Sequence, residues 1–498
     1  MKRVIYLLLA IFAVKGCAVG PDYHTPEVPI PAQYPVSATN GSGPDGVTSK
    51  PQSDLGRWWN TFNDPGLNRL IENALASNLE IRLAEARVRE ARARLALVRG
   101  AILPEFDSSA SYSRSRTSEN SSKNRNNSST SDSSNSFSRQ GGTNNLFKAG
   151  FDASWEIDIF GARRAVQSAE YSLQAQEEAR RNVLVSLLSE VAQNYIALRG
   201  SEHELQVTRK NEKTQNETLD LQRAKLSAGI ASDLTVAQSE AQLAATESQI
   251  PALEYQVQQA VYRLALLLDK DPDVLEGELT PASSTLSVEV PQGPANVPPG
   301  IPSELLRRRP DIRQAERELG AATANIGVAE SALFPHLDLT GSLGLESRKL
   351  KDIAKGGSFF WSLGSALDWP IFHGGTIVAN VRIQDARQEQ ALIRYRQVIL
   401  MALADVEQSL VAYNREQLRR AGLEKAVRAN RRSFELAKGL YNAGLTDFLN
   451  VLTAQLALFQ SEVQLAESEQ TASLNLVALY KALGGGWEVA EKGDDIRQ

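Results

Sequence analysis

The 498-residue chain contains a single cysteine, Cys17, and only four histidines. A lone cysteine cannot form an internal disulfide, so no covalent cross-link within the chain stabilises the fold. The histidines are far apart, and no HExxH, GxSxG or Walker spacing is present. They are His24, His203, His336 and His373. These absences argue against an enzyme, and the sequence predicts no catalytic residue, cofactor or metal site.

A large net charge and long apolar segments are also missing. The 54 basic and 59 acidic side chains give a net charge of −5, so no nucleic-acid partner is predicted. Beyond the N-terminal region no run of about 18 apolar residues occurs, and no membrane-spanning helix is predicted. A membrane-associated chain without such a helix lies on the membrane surface or crosses it as a closed β-barrel.

The first residues have the composition of a secretory signal. Lys2 and Arg3 precede a short apolar run, which ends in small residues before the cysteine. The stretch "VKGC" resembles a bacterial lipobox, which implies cleavage after Gly16 and lipid modification of Cys17. Ala18 follows where some lipoproteins have aspartate, and this implies sorting to the outer membrane. A short N-terminal membrane anchor and an unmodified cysteine are the alternatives.

Two regions of the sequence alternate with a period of two residues, which predicts β-hairpins. In the first, "EFDSSASYSRSR" and "FKAGFDASWEIDIFG" flank a run at 117–136 that has no apolar side chain. We interpret that run as a hairpin loop, with a disordered linker as the alternative. The second hairpin combines "HLDLTGSLGLES" with "FFWSLGSALDWPIF". Strands with one apolar and one polar face are typical of membrane barrels.

Long helices follow each hairpin. From Gly161 the helical pattern continues to Leu226 without proline, and its apolar residues step by three and four as in a coiled coil. These residues are Leu184, Leu188, Val191, Tyr195 and Leu198. A second helix is predicted from Asp233 to about Leu268, bent where Pro251 interrupts its hydrogen bonds. Leu403, Val406, Leu410 and Tyr413 repeat the same seam in the second half.

The chain is therefore predicted to be internally duplicated. Each copy comprises a helix, a β-hairpin, a very long helix, a tight turn and a long helix. The turns read "SAGIASD" and "NAGLTDF". Gly229 and Gly444 suit the left-handed conformation that ends a helix. Ser232 or Asp233, and Thr446 or Asp447, are predicted to cap the next helix by accepting hydrogen bonds from its first amides.

Four strands cannot close a barrel, and open strand edges cannot face lipid. Several chains must then pool their strands. Three copies would supply twelve, an even number within the range of closed membrane barrels. The residues therefore predict an α+β membrane protein in which several chains share one β-barrel and the long helices continue from the strands as a second cylinder. Periodicity alone does not set the number of chains.

The whole mature chain resembles the outer-membrane efflux factor family, the TolC-like exit ducts. The resemblance rests on the lipobox with "AVGPDYHTPEVPIP", "RPDIR" at Arg309, the two "AG" turns and "LYKALGGGW" ending at Trp487. It is strongest to the lipoprotein branch that serves resistance-nodulation-division drug pumps. Membership implies a homotrimer that forms a 12-stranded β-barrel, with four strands per chain, continued by a long periplasmic α-helical barrel. It also implies a periplasmic adaptor and an inner-membrane transporter as partners, with outer-membrane lipid contacted through the Cys17 anchor.

The resemblance also gives the tips a role. It implies that the adaptor docks on the tips at Ala228, Gly229, Ala443 and Gly444. By position, Leu449 and Thr453 would narrow the periplasmic mouth, although many relatives have aspartate where this chain has Thr453. Asp233 and Asp447 are nearby acidic gate candidates. Ordinary hairpin turns and ordinary surface carboxylates are the alternatives for these residues.

The predicted segments follow the duplication. They are the signal peptide 1–16, lipid-anchored extended tail 17–65, first-repeat helices 66–104, first hairpin 105–160 with outer loop 114–144, first helical hairpin 161–270, connector 271–300, second-repeat helices 301–335, second hairpin 336–372, second helical hairpin 373–485 and C-terminal tail 486–498.

The function that the resemblance implies is passive export of drugs or other small molecules through an outer-membrane duct. Two alternatives remain open from the sequence. One is a type I secretion-like export channel, because the fold is shared. The other is a structural periplasmic coiled-coil lipoprotein without a pore, for which aromatic alternating hairpins would have no purpose.

Overall fold

The computed structural model describes residues 18–29, 31, 55–116, 143–279, 289–294 and 302–489. The predicted signal peptide, Cys17 and most of the predicted outer loop lie outside these residues. The strands are β1 (Glu105–Arg116), β2 (Thr143–Ile157), β3 (His336–Ser347) and β4 (Phe359–Asp368). The helices of the first copy are α1 (Pro65–Ser77), α2 (Leu79–Gly100), α3 (Ala162–Ser227), α4 (Asp233–Glu247), α5 (Ile250–Leu268) and α6 (Pro272–Leu279). Those of the second are α7 (Pro302–Arg308), α8 (Pro310–Ser331), α9 (Thr376–Asn442) and α10 (Phe448–Ala482).

The two longest helices are uninterrupted, as predicted, with 66 residues in α3 and 67 in α9. The helix predicted from Asp233 to about Leu268 is interrupted at Ser248 and Gln249, just before Pro251, and so divides into α4 and α5, in agreement with the predicted bend. Pro251 lies in the first turn of α5. Proline is tolerated there because the first amides of a helix have no partner within the helix, whereas mid-helix it removes a hydrogen bond.

Other boundaries also differ from the predictions. A short 3-10 helix, Leu55–Phe62, lies inside the tail predicted to be extended, because Trp58, Trp59 and Phe62 are buried. Helix α6 occupies the start of the predicted connector. Strands β1 and β2 both extend into the predicted outer loop, and β4 ends before Trp369.

The chain separates into two compact units. The sheet unit draws on Met1–His24, Ala91–Ser172 and Leu319–Gln390, and the helical unit on Thr25–Glu90, Leu173–Glu318 and Ala391–Gln498. In the sheet unit the four strands are antiparallel in the order β1-β2-β3-β4, so β1 and β4 are the edges. The register pairs Phe106 with Ala153, Phe151 with Leu343, and Leu343 with Trp361.

This register gives the sheet two chemically different faces. One face is apolar and exposed, with large side chains at Phe106, Tyr112, Phe151, Leu343, Phe359, Trp361, Leu363 and Leu367. The opposite face is polar, because Asp107 pairs with Asp152 and Glu156 pairs with Asp338. Both faces agree with the predicted alternation. An exposed apolar face on a four-stranded sheet needs a nonaqueous environment or a partner to cover it.

The core of the helical unit contains the predicted coiled-coil seam. Leu184, Leu188, Val191, Tyr195 and Leu198 are all buried. The Trp58 ring stacks on that of Tyr480, with 5.2 Å between ring centroids. The Tyr195 hydroxyl donates to the Asp64 carboxylate at 3.0 Å and accepts from Arg199 Nε at 3.1 Å. Burial raises the pKa of Tyr195 to about 12, so this phenol stays protonated.

The motifs that carry the family resemblance have structural roles in the helical unit. Arg309 Nη2 lies 2.8 Å from the Asp311 carboxylate and 3.2 Å from that of Asp405, and Nη1 donates to the Ala482 carbonyl. The Trp487 indole donates to the Arg308 carbonyl at 3.2 Å. These bonds fix the end of α10 against the start of α8. The Arg309 and Trp487 motifs therefore stabilise the fold.

Candidate functional site

The two turns between long helices have the same backbone geometry. After α3, Gly229 has φ +75°, its amide donates to the Leu226 carbonyl, and the Ile230 amide donates to the Lys225 carbonyl. After α9, Gly444 has φ +71°, and the matching bonds run to the carbonyls of Tyr441 and Leu440. This pattern is the Schellman motif, in which a left-handed residue lets two amides satisfy the last helix carbonyls. The predicted left-handed glycines are confirmed.

The residue after each glycine is apolar and exposed. Ile230 is 78% exposed and Leu445 is 74% exposed, and Leu234 and Leu449 are exposed beside them. In a typical Schellman motif this residue packs back onto its own helix. Here both side chains face outward, so each tip presents an apolar surface. The sequence analysis singled out the small residues Ala228, Gly229, Ala443 and Gly444 and missed these apolar neighbours, although "AGI" and "AGL" show the pattern.

The predicted side-chain caps at the tips were wrong. Ser232 and Asp447 occupy the N-cap positions of α4 and α10, but neither side chain accepts a hydrogen bond from the helix. At the first tip, the Thr235 hydroxyl donates to the Ser232 carbonyl at 2.7 Å. At the second, the Asn450 side-chain amide donates to the Thr446 hydroxyl at 2.7 Å. The carboxylates of Asp233 and Asp447 thus remain exposed to solvent.

The other two predicted gate residues lie one turn apart on α10. Leu449 is 57% exposed, and Thr453 is exposed above the same side of the helix. The Thr453 hydroxyl donates to the Leu449 carbonyl at 2.8 Å. The face of α10 near its start therefore combines an apolar side chain with a hydroxyl already engaged by its own helix. Their neighbour Phe448 is buried and anchors this turn.

A tyrosine joins the two helical hairpins just behind the tips. The Tyr441 ring at the end of α9 packs 5.5 Å from the Phe448 ring, and Lys225 Nζ lies 4.1 Å from its centroid. The Tyr441 hydroxyl donates to Gln222 Oε1 on α3 at 3.1 Å. One side chain therefore contacts α3, α9 and α10. The sequence analysis missed Tyr441, because an isolated tyrosine near a helix end gives no distinctive pattern.

Within the described residues, no group of three or more His, Cys, Asp or Glu side chains is arranged to hold a metal ion. Among the helices described, none combines the length and apolarity needed to span a membrane.

An amphipathic antiparallel sheet in a duplicated chain, combined with very long paired helices that end in matched tips, defines an outer-membrane export channel. The chain belongs to the outer membrane efflux protein family, whose model matches residues 70–269 and 301–485. It is thus an outer-membrane efflux channel component, located in the outer membrane with a large helical part.

Known relatives cover nearly the whole chain. The solvent efflux pump outer membrane protein SrpC of Pseudomonas putida is 32% identical over 497 residues, which are 99% of this chain and 100% of SrpC. The pyoverdine export outer membrane protein OpmQ of Pseudomonas aeruginosa is 35% identical over 450 residues, 89% of this chain and 90% of OpmQ. The solved structure of the outer-membrane channel OprN has a TM-score of 0.82 at 32% identity, covering 95% of this chain and 100% of that one.

Proposed function

We propose that this chain forms the exit duct of a tripartite efflux system as a homotrimer. The observation that carries the proposal is the sheet: four strands have one exposed apolar face, and both edge strands, β1 and β4, are unpaired on their outer sides within the described chain. Lipid offers no hydrogen bonds to such edges. Three copies pairing β1 of one with β4 of the next would close a 12-stranded barrel.

The oligomeric state tests this proposal directly. Purified protein in lipid should be a trimer whose β-structure, measured by circular dichroism, survives heating in detergent, and it should conduct ions across planar bilayers. A monomer, or Trp-bearing hairpins that are accessible to water-soluble quenchers, would instead support the periplasmic spacer without a pore.

The partners in this proposal are a periplasmic adaptor and an inner-membrane transporter of the resistance-nodulation-division type. The tips at Ala228–Ile230 and Ala443–Leu445 would receive the helical hairpins of the adaptor. Small residues permit close approach, and the exposed Ile230 and Leu445 side chains provide apolar contact area. Energy for transport would come from the transporter, since the duct itself is passive.

The cargo is proposed to be drugs or other small molecules. SrpC and OpmQ are named for solvent efflux and pyoverdine export, respectively, so one fold serves chemically different cargoes. Deleting the gene and measuring susceptibility to hydrophobic and cationic compounds tests the assignment. Unchanged susceptibility combined with loss of a secreted protein would favour the type I secretion-like alternative.

Leu449, Thr453, Asp233 and Asp447 are proposed to line the periplasmic gate, which opens when the α9–α10 pair moves at the tips. Cys17 is proposed to carry the lipid anchor, so a cysteine at Leu449 would be the only free thiol of the chain. A reducible cross-linker joining Leu449→Cys residues of two protomers should abolish efflux without harming assembly, and reductant should restore it. Efflux that continues when every trimer contains a cross-linked pair would refute this gate.

A further inference from the structure

Residues Ala18–His24, called the leader below, follow a defined path in the sheet unit. Arg164, near the start of α3, is only 5% exposed, and its guanidinium donates to the leader three times. The Nε atom donates to the Val19 carbonyl, and Nη2 donates to the Gly20 carbonyl and the Asp22 carboxylate, each at 2.9 Å. The planar guanidinium thus binds both backbone and side chain of the leader.

Glycines bring the leader into contact with α8. Gly20 has φ +92°, and a Cβ atom there would lie 2.5 Å from the Cα atom of Gly327. A Cβ atom on Gly327 would lie 2.5 Å from the Val19 carbonyl oxygen. Further along, the Tyr23 and Tyr171 rings meet edge to face at 5.6 Å. The groove between α3 and α8 is therefore shaped for this segment.

These contacts fix the direction of the leader. Val19 and Gly20 lie at Arg164, whereas Tyr23 lies at Tyr171, seven residues further along α3. Seven helical residues span about 10 Å, which an extended chain covers in three or four residues. The leader thus runs parallel to α3, and its N-terminal end points back toward the start of α3, where β2 ends.

At the end of the sheet unit where β2 ends, aromatic rings are exposed while the indole N–H groups of two tryptophans are hydrogen-bonded. The Trp155 indole donates to the Ile102 carbonyl at 2.8 Å, and the Trp369 indole donates to the Leu333 carbonyl at 3.2 Å. Both rings are exposed, as are the neighbouring Ile371 and Phe372. Tryptophans of this kind are enriched where a membrane meets water. We use "aromatic belt" for Trp155, Trp369 and Phe372.

We propose that Arg164 is a positioning residue that holds the lipid-bearing N-terminus at the level of the aromatic belt. The inference rests on the lipidation of Cys17 and the barrel in the proposed function. Two residue steps separate Cys17 from Val19, so their Cα atoms lie within about 7 Å of each other. Acyl chains on Cys17 would enter the same leaflet that the belt faces, and the barrel and the anchor would share one depth.

The buried guanidinium depends on the leader in turn. Without it, Arg164 loses three of the four hydrogen bonds found for its side chain and keeps the one to Gln167 at 2.9 Å. These hydrogen bonds are charge-assisted, so binding of the leader stabilises this part of the sheet unit.

The test uses the full-length lipidated protein in vesicles that contain brominated lipids. A bimane label on Val19→Cys leaves the backbone carbonyl of residue 19 in place, and its quenching by the brominated lipids reports its depth in the membrane. Hydrogen exchange of the leader amides reports whether the leader is bound in its groove. In the Arg164→Gln variant, the hydrogen-exchange rate of the leader amides should rise at least tenfold, and the bimane should no longer lie at the depth of the tryptophans of the aromatic belt. Gly20→Ala should change leader exchange and bimane depth in the same way, although it retains Arg164. Arg164→Lys should give values between those of the wild type and those of Arg164→Gln. Arg163→Gln, the same charge change at an exposed neighbour, should match the wild type.

Each outcome decides the proposal. Equal exchange and equal bimane depth in the Arg164→Gln and Arg163→Gln variants, with Cys17 acylated by mass spectrometry, would overturn the positioning role alone. An unacylated Cys17 would overturn both the anchor in the proposed function and this role, whereas conductance of the trimer would still report on the duct.

Discussion

The hydroxyl of Tyr441 donates a hydrogen bond to Oε1 of Gln222 over 3.1 Å and so ties the second helical hairpin to the first just behind the tips. Gln222 is almost fully buried. A hydrogen bond at this position stabilises one arrangement of the hairpins relative to each other.

Replacing Tyr441 by Phe removes this bond and keeps the ring beside Phe448 and Lys225. A net loss of ~1 kcal/mol, typical of one hydrogen bond, corresponds to about a fivefold shift away from the hairpin arrangement that this bond stabilises. We expect the open fraction in single-channel recordings to change by about that factor. Tyr262→Phe, at an exposed ring on α5, is the control. An unchanged open fraction in Tyr441→Phe would show that the bond does not restrain the gate.

Thr453→Asp should make the mouth more selective for cations. In the proposed gate a trimer would gain three carboxylates, and salt would screen their effect. We expect the cation-to-anion permeability ratio, from reversal potentials, to at least double at low ionic strength and to approach the wild-type value near 1 M salt. Thr453→Asn has a similar shape without the charge. If both variants have the wild-type ratio, Thr453 does not face the conduction path.

The double substitution Ile230→Asp and Leu445→Asp should prevent adaptor docking. Burying one such side chain contributes about 1.5–3 kcal/mol, so the loss of both predicts a fall in affinity of at least about a hundredfold. The measurements are in-cell cross-linking of the adaptor and drug susceptibility, with trimer yield as the folding control. Val274→Asp, at an exposed apolar site on α6, should retain docking. Normal docking by the double variant would place the adaptor elsewhere.

Glu204→Gln should stabilise the protein at neutral pH. Partial burial, and then the nearby Glu467 carboxylate, raise the pKa of the Glu204 carboxyl above 4.5. The folded protein therefore holds this proton more tightly than the unfolded chain does, and the free energy of unfolding falls as pH rises above about 4.5. We expect the variant to raise Tm at pH 7 by about 2 °C and to weaken its pH dependence. Glu217→Gln on the exposed side of α3 should change neither quantity. A lower Tm in Glu204→Gln would contradict this interpretation.

The strands, the long helices and the tips could be predicted because each has a local signal. Alternation placed Phe151 and Leu343 on the apolar face, steps of three and four placed Leu188 and Val191 in the seam, and glycine placed the left-handed turns. Each of these signals depends only on residues close together in the chain, so it can be recognised in a single sequence.

Other features depend on partners distant in sequence. The pairing of Tyr441 with Gln222, and of Arg164 with Val19, spans long stretches of chain and has no periodic pattern. The predicted caps failed at Ser232 and Asp447 because side chains have several local hydrogen-bonding options, and here Thr235 and Asn450 bond instead.

The matched Schellman turns have a consequence for symmetry. Both tips repeat one backbone geometry, but the residues that follow the glycines differ: Ile230, Ala231 and Ser232 at one, and Leu445, Thr446 and Asp447 at the other. In a trimer, the six tips would share one main-chain geometry but would alternate between two sets of exposed side chains. A ring of six identical ligands would then occupy them as three pairs of unequal neighbours, because the exposed carboxylate lies four residues after the glycine at one tip, Asp233, and three residues after it at the other, Asp447.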